Sequence, residues 1–178
     1  MGCRLKHITF DLETLGNKAN GAPIVQIGAV KFNKSGDILD NFVRHVDIKR
    51  LSKYDFKMDY ETLHWWFTQP HQTIQEVMIN NKRIDLSHAL HDFQEWIGKL
   101  SQYIYWSHST FDPPILENNF IKTKGNYPFP YKNFKDIRTL MFLSNTMDDV
   151  KREGIHHNAL DDAKFQAKYI SKALRKYG

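Results

Sequence analysis

Hydrophobic residues in the first fifty positions fall into three short segments separated by turn-forming residues. The segments are HITFDLET (7–14), IVQIGAVKFN (24–33) and ILDNFVRHVDI (38–48), with GNKANGAP and KSGD between them. Runs of β-branched and aromatic residues of this length, bounded by Gly, Asn and Pro, are typical of strands. The short turns predict that the three strands form an antiparallel meander.

Between positions 54 and 102 the hydrophobic period becomes that of a helix. DYETLHWWFTQ places Leu63, Trp66 and Phe67 on one face, and Pro70 either ends this helix or begins the next one. DLSHALHDFQEWIGKL predicts a second helix with Ser87 as its cap. Its apolar residues recur at helical spacing, at Leu90, Phe93, Trp96, Ile97 and Leu100.

The remaining segments alternate between the two periods. YIYWSHS predicts a buried strand, FDPPILENNFIKT a helix after its two prolines, and FKDIRTLMFL a short strand or loop that continues as a helix. ALDDAKFQAKYISKALRKY predicts a long amphipathic helix with Ala163, Ala167, Ile170 and Leu174 facing inward. This order predicts an α/β fold in which helices flank a mixed sheet, as one domain spanning residues 1–178.

The composition is typical of a globular protein, and the charge favours one class of binding partner. The chain has 178 residues, 41% of them hydrophobic, and a formal charge of +5, which suits an anionic partner such as nucleic acid. The lone Cys3 cannot form an internal disulfide, so the fold does not depend on oxidation. No segment has the length of a membrane span and no signal-peptide core follows Met1, so we expect a cytoplasmic protein without a membrane partner.

Asp11 and Glu13 stand two residues apart at the end of the first predicted strand. Alternate residues of a strand point to the same side of a sheet, where two carboxylates repel each other unless a cation lies between them. This spacing favours a divalent metal. Two solvated acids at a strand end are the alternative, and D-x-E alone does not decide between the two interpretations.

Two later segments supply further candidates. Asp112 lies between the strand YIYWS and a helix, where it is either a ligand or the helix N-cap. GIHHNALDDAK (154–164) carries two histidines and two aspartates at the start of the last helix. It has too few ligands for a closed zinc site. The five-residue spacing fits His156 with Asp161 as well as His157 with Asp162.

The order of these segments resembles the three motifs of the DnaQ-like, DEDDh-type 3′–5′ exonucleases: D-x-E in FDLET, an aspartate in WSHSTFDPPIL, and H-x4-D in HHNALDDA. PIVQIGAVKF is similar to the second strand of that superfamily. TLHWWFTQ and FDPPIL look most like bacteriophage exonuclease A and the small bacterial exoribonucleases. The resemblance covers nearly the whole chain and implies an RNase H-like fold.

The resemblance assigns roles to these residues. It selects His157 and Asp162, because the ending H-x-A-L-D-D-A is reproduced from that register. Two Mg²⁺ or Mn²⁺ ions are implied, His157 would act as the general base, and the products would be nucleoside 5′-monophosphates. Asp11 is expected to bind both ions. The four implied metal ligands are Asp11, Glu13, Asp112 and Asp162.

The pocket for the 3′-terminal nucleotide is also implied by the resemblance, and would be lined by Leu12, Thr14 and Leu15. Phe111 is a candidate for stacking or packing beside it. Adjacent helical residues diverge by about 100°, so one of two neighbouring tryptophans should enter the core while the other faces the cleft. We favour Trp66 for the cleft, and packing of both tryptophans in the core is the alternative.

The sequence does not decide between DNA and RNA as the substrate, or between a monomer and a homodimer. The likeness to exonuclease A favours DNA slightly, whereas the small bacterial relatives favour RNA 3′ ends. A homodimer is compatible with the resemblance, since some of those relatives act as pairs. A nucleic-acid-binding module that keeps the fold without turnover is the alternative of another class.

Overall fold

The computed structural model describes residues 6–145 and 150–177. Their centre is a six-stranded sheet with the order β4-β3-β2-β1-β5-β6. The meander predicted for the first three strands is confirmed, because β2 pairs antiparallel with both β1 and β3. β5, β6 and β4 are added in parallel pairings, which makes the sheet mixed. The strands are β1 (Lys6–Thr14), β2 (Ile24–Phe32), β3 (Ile38–Val46), β4 (Arg83–Ile84), β5 (Tyr103–Ser107) and β6 (Phe134–Asp136).

Helices cover both faces of this sheet. The larger core lies on one face, where α3 and α4 pack against β1 to β3 through residues such as Phe10, Phe42 and Phe93. The smaller core lies on the other face, under α5 and α6. The helices are α1 (Tyr60–Phe67), α2 (His71–Met78), α3 (Leu86–Ile97), α4 (Asp112–Lys124), α5 (Ile137–Ser144) and α6 (Ala159–Tyr177).

Small residues let α6 approach the sheet closely. Ala163 and Ala167 are fully buried, as their inward position in the sequence pattern predicts. A Cβ atom on Gly28 of β2 would lie 2.1 Å from the carbonyl carbon of Ala159, so only glycine fits there. The amide of Ala159 also donates to Gln26 Oε1 over 2.8 Å. β2 therefore fixes where the last helix begins.

Alternation along β1 divides its side chains between the two cores. Ile8, Phe10 and Leu12 point into the larger core. The residues between them face the α6 side, where Thr9 and Asp11 both meet α6. The polar face of β1 is therefore covered by the last helix of the chain.

Some local predictions are wrong. Asp85, not Ser87, caps α3, and its side chain accepts a hydrogen bond from the Ser87 amide over 3.0 Å. Phe67 is 82% exposed although it was placed on the apolar face of α1. Leu100 lies beyond α3 in a 3-10 helix. The two-residue strand β4 was not predicted, since a strand this short has no period to detect.

No helix within residues 6–145 and 150–177 is both long and apolar enough to cross a membrane.

Candidate active site

A cleft of about 470 Å³ opens where the C-terminal end of β1 meets the starts of α4 and α6. Residues of α1 and α5 and of the segment before α6 complete its walls. Every acid and histidine singled out for metal binding or catalysis in the sequence lines this cleft: Asp11, Glu13, Asp112, His157 and Asp162. The fold therefore assembles these residues from three distant segments.

Asp11 and Glu13 enter the cleft from β1. They stand opposite Gly28 and Gln26 in the antiparallel pairing of β1 with β2, on the face that α6 covers. Oδ1 of Asp11 accepts a hydrogen bond from the Gln166 side-chain amide over 2.8 Å. The D-x-E spacing thus places both carboxylates on one side of the sheet, as strand geometry requires.

Asp112 begins α4 and is 1% exposed. Its carboxylate accepts two backbone hydrogen bonds, from His108 over 2.9 Å and from Leu12 over 3.3 Å. Neither donor belongs to α4, and the residue at the cap position is Phe111, so Asp112 is not the helix N-cap. Its carboxylate is instead held between β1 and the segment that precedes α4.

His157 and Asp162 come from the start of α6. Asn158 caps this helix, since its side-chain oxygen accepts from the amides of Leu160 and Asp161, both over 3.2 Å. His157 has a φ of 58°, a left-handed conformation that costs a non-glycine residue energy and is found preferentially at functional sites. This turn brings the imidazole into the cleft.

Two groups of side chains could each hold a metal ion. Asp11, His108 and Asp112 form one group, and Glu13, His157 and Asp162 form the other. Within each group the potential ligand atoms lie within 4.8 Å of one another. The excess of carboxylate oxygens suits Mg²⁺ or Mn²⁺ better than a metal that prefers thiolate ligands. His108 was not predicted as a ligand, because the motif spacing offers no signal for it.

Burial and mutual repulsion destabilise the ionised forms of the carboxyl groups in the cleft. Burial raises the pKa of Asp11 to about 7. Burial, together with the negative charge of Asp11, raises the pKa of Glu13 and of Asp112 well above their ordinary values. Carboxylates whose charge is this costly bind either protons or a cation. The donor set therefore fits divalent metal ions.

Arg152 is a cleft residue that sequence analysis missed. Its guanidinium forms an ion pair with Asp162 and lies 5.1 Å from the centre of the Phe165 ring. Its positive charge also favours the ionised forms of Asp11 and Glu13. No motif marks this arginine, so only the fold reveals that a cation from the protein itself contacts the acid cluster.

The His157 ring is packed against other rings. It lies edge-on to Trp65, with centroids 4.6 Å apart, and 3.9 Å from the ring of His156. Burial lowers the pKa of His157 to about 4, and the positive charges of His156 and Arg152 contribute to the shift. The imidazole is therefore neutral near pH 7, which is the form that accepts a proton.

The two tryptophans are arranged differently from the prediction. Trp66 is 3% exposed and its indole N–H donates to the Thr14 carbonyl over 2.9 Å, so it belongs to the inner wall. Trp65 is 37% exposed beside His157. Both tryptophans line the cleft, Trp66 included, but Trp65 is the more exposed of the two.

The other residues predicted to bind the terminal nucleotide divide into two sets. Leu12, Thr14 and Phe111 line the cleft. Leu15 does not: it is 2% exposed and packs in the larger core behind the cleft wall. The regular pairing of β1 with β2 is interrupted between Glu13 and Thr14, just before Leu15.

Asp161 and Asp136 have structural roles. Asp161 accepts from the Ile155 amide over 2.9 Å, which ties the segment before α6 to the helix. Asp136 caps α5 and accepts hydrogen bonds from Ser109 and Thr139. The geometry thus separates Asp161 from its neighbour Asp162, which points into the cleft.

Comparisons with known proteins identify a family for the chain and relatives of its fold. Residues 6–174 match a family model described as the 3′–5′ exoribonuclease Rv2179c-like domain. A curated relative, the PolC-type DNA polymerase III of Clostridium perfringens (strain 13 / Type A), is 25% identical over 182 residues. The match covers 96% of this chain and 11% of the polymerase, so the chain spans about a ninth of that relative's length.

Solved structures share the fold at low sequence identity. S. pombe Pop2p in its Mg²⁺- and Mn²⁺-bound form has a TM-score of 0.65 and 16% identity, covering 96% of this chain and 83% of that one. The nuclease domain of 3′hExo, a DEDDh family member bound to rAMP, has a TM-score of 0.64 and 15% identity, covering 97% and 92%. An E. coli ExoI–ssDNA complex with bound zinc has a TM-score of 0.65 and 13% identity, covering 98% and 42%.

Proposed function

Since the chain belongs to the Rv2179c-like 3′–5′ exoribonuclease domain family, we propose that it trims the 3′ ends of RNA one nucleotide at a time. The resemblance to DnaQ-like DEDDh exonucleases and the RNase H-like mixed sheet are confirmed. The protein is a metal-dependent 3′–5′ exonuclease that acts on nucleic acid. The choice of RNA rests on the description of the matched family.

The convergence of four carboxylates in one cleft is the observation that carries the mechanism. Asp11, Glu13, Asp112 and Asp162 would hold two Mg²⁺ or Mn²⁺ ions, with His108 as an additional ligand candidate. When bound, such ions polarise the scissile phosphate and lower the pKa of the attacking water. The buried carboxylates would offset the positive charge of the ions and hold them in the cleft.

His157 would accept the proton of the attacking water. Its imidazole lies in the same group as Glu13 and Asp162, and its lowered pKa keeps it neutral at physiological pH. Trp65 restricts the movement of the ring by edge-on contact, and Asn158 fixes the helix start behind it. The product is a nucleoside 5′-monophosphate, because the bond broken is the one to the neighbouring 3′ oxygen.

Aromatic side chains at the mouth suit the terminal base. Trp65 is partly exposed, and Phe111, which directly precedes Asp112, lines the same cleft. Aromatic faces stack on any base, so they support binding without sequence preference. Arg138 also lines the cleft, where it donates a long hydrogen bond of 3.4 Å to the Thr110 hydroxyl. Its guanidinium is a candidate for contact with the backbone phosphates of the substrate.

The test is nucleotide release from matched RNA and DNA oligonucleotides with free or blocked 3′ ends, in Mg²⁺, Mn²⁺ or EDTA. We expect 5′-monophosphates from free 3′ ends only, faster from RNA, and none in EDTA. Asp11→Asn is the matched control for metal-dependent chemistry. Faster release from DNA than from RNA would contradict the proposed substrate.

DNA is the second candidate, because one relative is a DNA polymerase and a structural neighbour was solved with single-stranded DNA. The same assay separates the two substrates. If neither is cleaved while both are bound, the alternative of a binding module without turnover is favoured.

A homodimer and a cytoplasmic location stay predictions. The mass of the protein in solution, measured by light scattering across a dilution series, tests the first. Fractionation of cells that express the protein tests the second.

A further inference from the structure

Gln166 lies in the second turn of α6, against the polar face of β1, and is 3% exposed. Its amide nitrogen donates to Asp11 Oδ1 over 2.8 Å. Its amide oxygen accepts from the hydroxyl of Thr9 over 2.7 Å, and Thr9 is fully buried. The three side chains therefore form a hydrogen-bonded relay, Thr9–Gln166–Asp11, that runs from the protein interior to the cleft.

The chemistry of the two partners fixes the orientation of the amide. An ionised carboxylate only accepts hydrogen bonds, whereas an amide has one accepting and one donating end. If the Gln166 amide were turned over, its oxygen would face the Asp11 carboxylate and both groups would repel each other. The Asp11 carboxylate therefore sets the direction of the amide nitrogen, and the Thr9 hydroxyl, which can donate or accept, donates to the amide oxygen that faces it.

Strand geometry makes this arrangement possible. Thr9 and Asp11 are alternate residues of β1, so both side chains face α6 about two residue lengths apart. One glutamine side chain spans them. A change of register by one residue between β1 and α6 would break both hydrogen bonds together.

The Gln166 side chain donates to Asp11 a hydrogen bond of the kind that backbone amides donate to Asp112. Asp112 is held by the amides of His108 and Leu12. Among the described residues, Gln166 is the hydrogen-bond donor to Asp11. Asp11 also offers a ligand oxygen within 4.8 Å of ligand atoms of His108 and Asp112.

We propose that Gln166 is a positioning residue that orients Asp11 for metal binding, and that Thr9 acts only through Gln166. This inference rests on the proposed function, since it requires Asp11 to be a metal ligand. Residues that orient metal ligands typically contribute about 10–100-fold to metal affinity or activity. The relay acts on binding of the ion before any substrate is present.

The experiment measures Mn²⁺ binding to the substrate-free full chain by electron paramagnetic resonance, with nucleotide release at varied Mg²⁺ as a second measurement. The variants are Gln166→Met, which keeps the length of the side chain and removes the amide, Thr9→Val, which keeps the shape and removes the hydroxyl, and the double variant. Ser171→Ala is the matched control, because it removes another buried hydrogen-bonding group from α6 far from the cleft.

We expect Gln166→Met to weaken Mn²⁺ binding by about 10–100-fold and to raise the Mg²⁺ concentration needed for half-maximal release. Thr9→Val should shift both quantities in the same direction by a smaller factor. The double variant should match Gln166→Met, because Thr9 has no effect once the amide is gone. Ser171→Ala should bind Mn²⁺ like the parent protein.

Unchanged Mn²⁺ affinity in folded Gln166→Met, with folding checked by circular dichroism, would overturn the positioning role. Additive effects of the two substitutions would overturn the relay. If Gln166→Met does not fold, Thr9→Val alone decides: normal Mn²⁺ binding by that variant contradicts the proposal. Failure of the proposed function looks different, since the parent protein and Asp11→Asn would then bind Mn²⁺ equally.

Discussion

The acid cluster has two halves that differ in how the protein holds them. The sheet half comprises the acids of β1 and the start of α4, and the helix half comprises His157, Arg152 and Asp162. In the sheet half, Asp112 is fixed by two backbone amides. In the helix half, the contact of Asp162 is with the side chain of Arg152, and His157 is held by ring packing.

This difference indicates which half responds to metal. Backbone amides stay in place in every folded molecule, so the carboxylate of Asp112 is positioned before an ion binds. Asp11 is held by the buried Gln166 side chain. An arginine side chain can rotate away when a divalent ion takes over the charge of Asp162. We therefore expect metal binding to rearrange side chains in the helix half and to leave the sheet half unchanged.

The largest effect should follow from changing the sheet half. Asp112→Asn removes a charge that no other group replaces, so nucleotide release should fall below detection in Mg²⁺. The metal-free protein should become more stable, because one of several mutually repelling buried carboxylates is gone. Nucleotide-release assays and thermal denaturation in EDTA measure the two effects. Retained activity would contradict the role of Asp112 in metal binding.

The next effect tests the helix half and the choice between its two histidines. His157→Gln should lower the rate constant of release by about 10²–10⁴-fold, the usual contribution of a general base. Mn²⁺ affinity should change far less. His156→Gln is the matched control and should stay close to the parent rate. A larger loss in His156→Gln than in His157→Gln would reassign the base.

A third prediction concerns pH in the metal-free state. Burial raises the pKa of Asp11 to about 7, so the folded state binds a proton that the unfolded state releases near the ordinary value. The contribution of Asp11 to stability in EDTA, measured as the difference between the parent protein and Asp11→Asn, should therefore become less favourable as pH rises from about 4 to about 7. The histidines with a lowered pKa, such as His157, have the opposite dependence and are present in both proteins. Mg²⁺ should remove the dependence that Asp11 contributes. Denaturation midpoints measured across that range, with and without Mg²⁺, provide the test.

The smallest effect should come from Arg152. If its guanidinium competes with the ion for Asp162, then Arg152→Gln should raise Mn²⁺ affinity by up to roughly fivefold, as expected for a partly exposed ion pair of about 1 kcal/mol. Lys164→Gln is the matched control, because that lysine pairs with Asp161 outside the metal groups. Calorimetric titration measures both variants. Weaker binding in Arg152→Gln would show that the arginine supports the ion.

Local periodicity was enough to predict much of the fold. The three strands of the meander and the buried face of α6, including Ala163 and Ile170, follow from residue patterns within a few positions. The five acid and histidine positions were found because their order and spacing resemble a family motif. Their meeting in one cleft agrees with that expectation, whereas their roles in catalysis await the experiments above.

The remaining features depend on contacts between distant segments. A helical wheel shows that Trp65 and Trp66 diverge, but the hydrogen bond from Trp66 to the Thr14 carbonyl decides which of them is buried. Arg152 and Gln166 belong to no motif, and polar residues of their kind are common on protein surfaces. The packing of α6 on β1 brings Gln166 to Asp11, and the segment before α6 brings Arg152 to Asp162.

The separation of the two halves along the chain has a consequence for biosynthesis. Asp11, near the beginning, and Asp162, in the last helix, meet only after the intervening elements have folded between them. A growing polypeptide that has emerged as far as α5 carries three of the four carboxylates but neither His157 nor Asp162. A chain that ends at α5 therefore lacks the proposed general base and one proposed metal ligand, and we expect it to release no nucleotides.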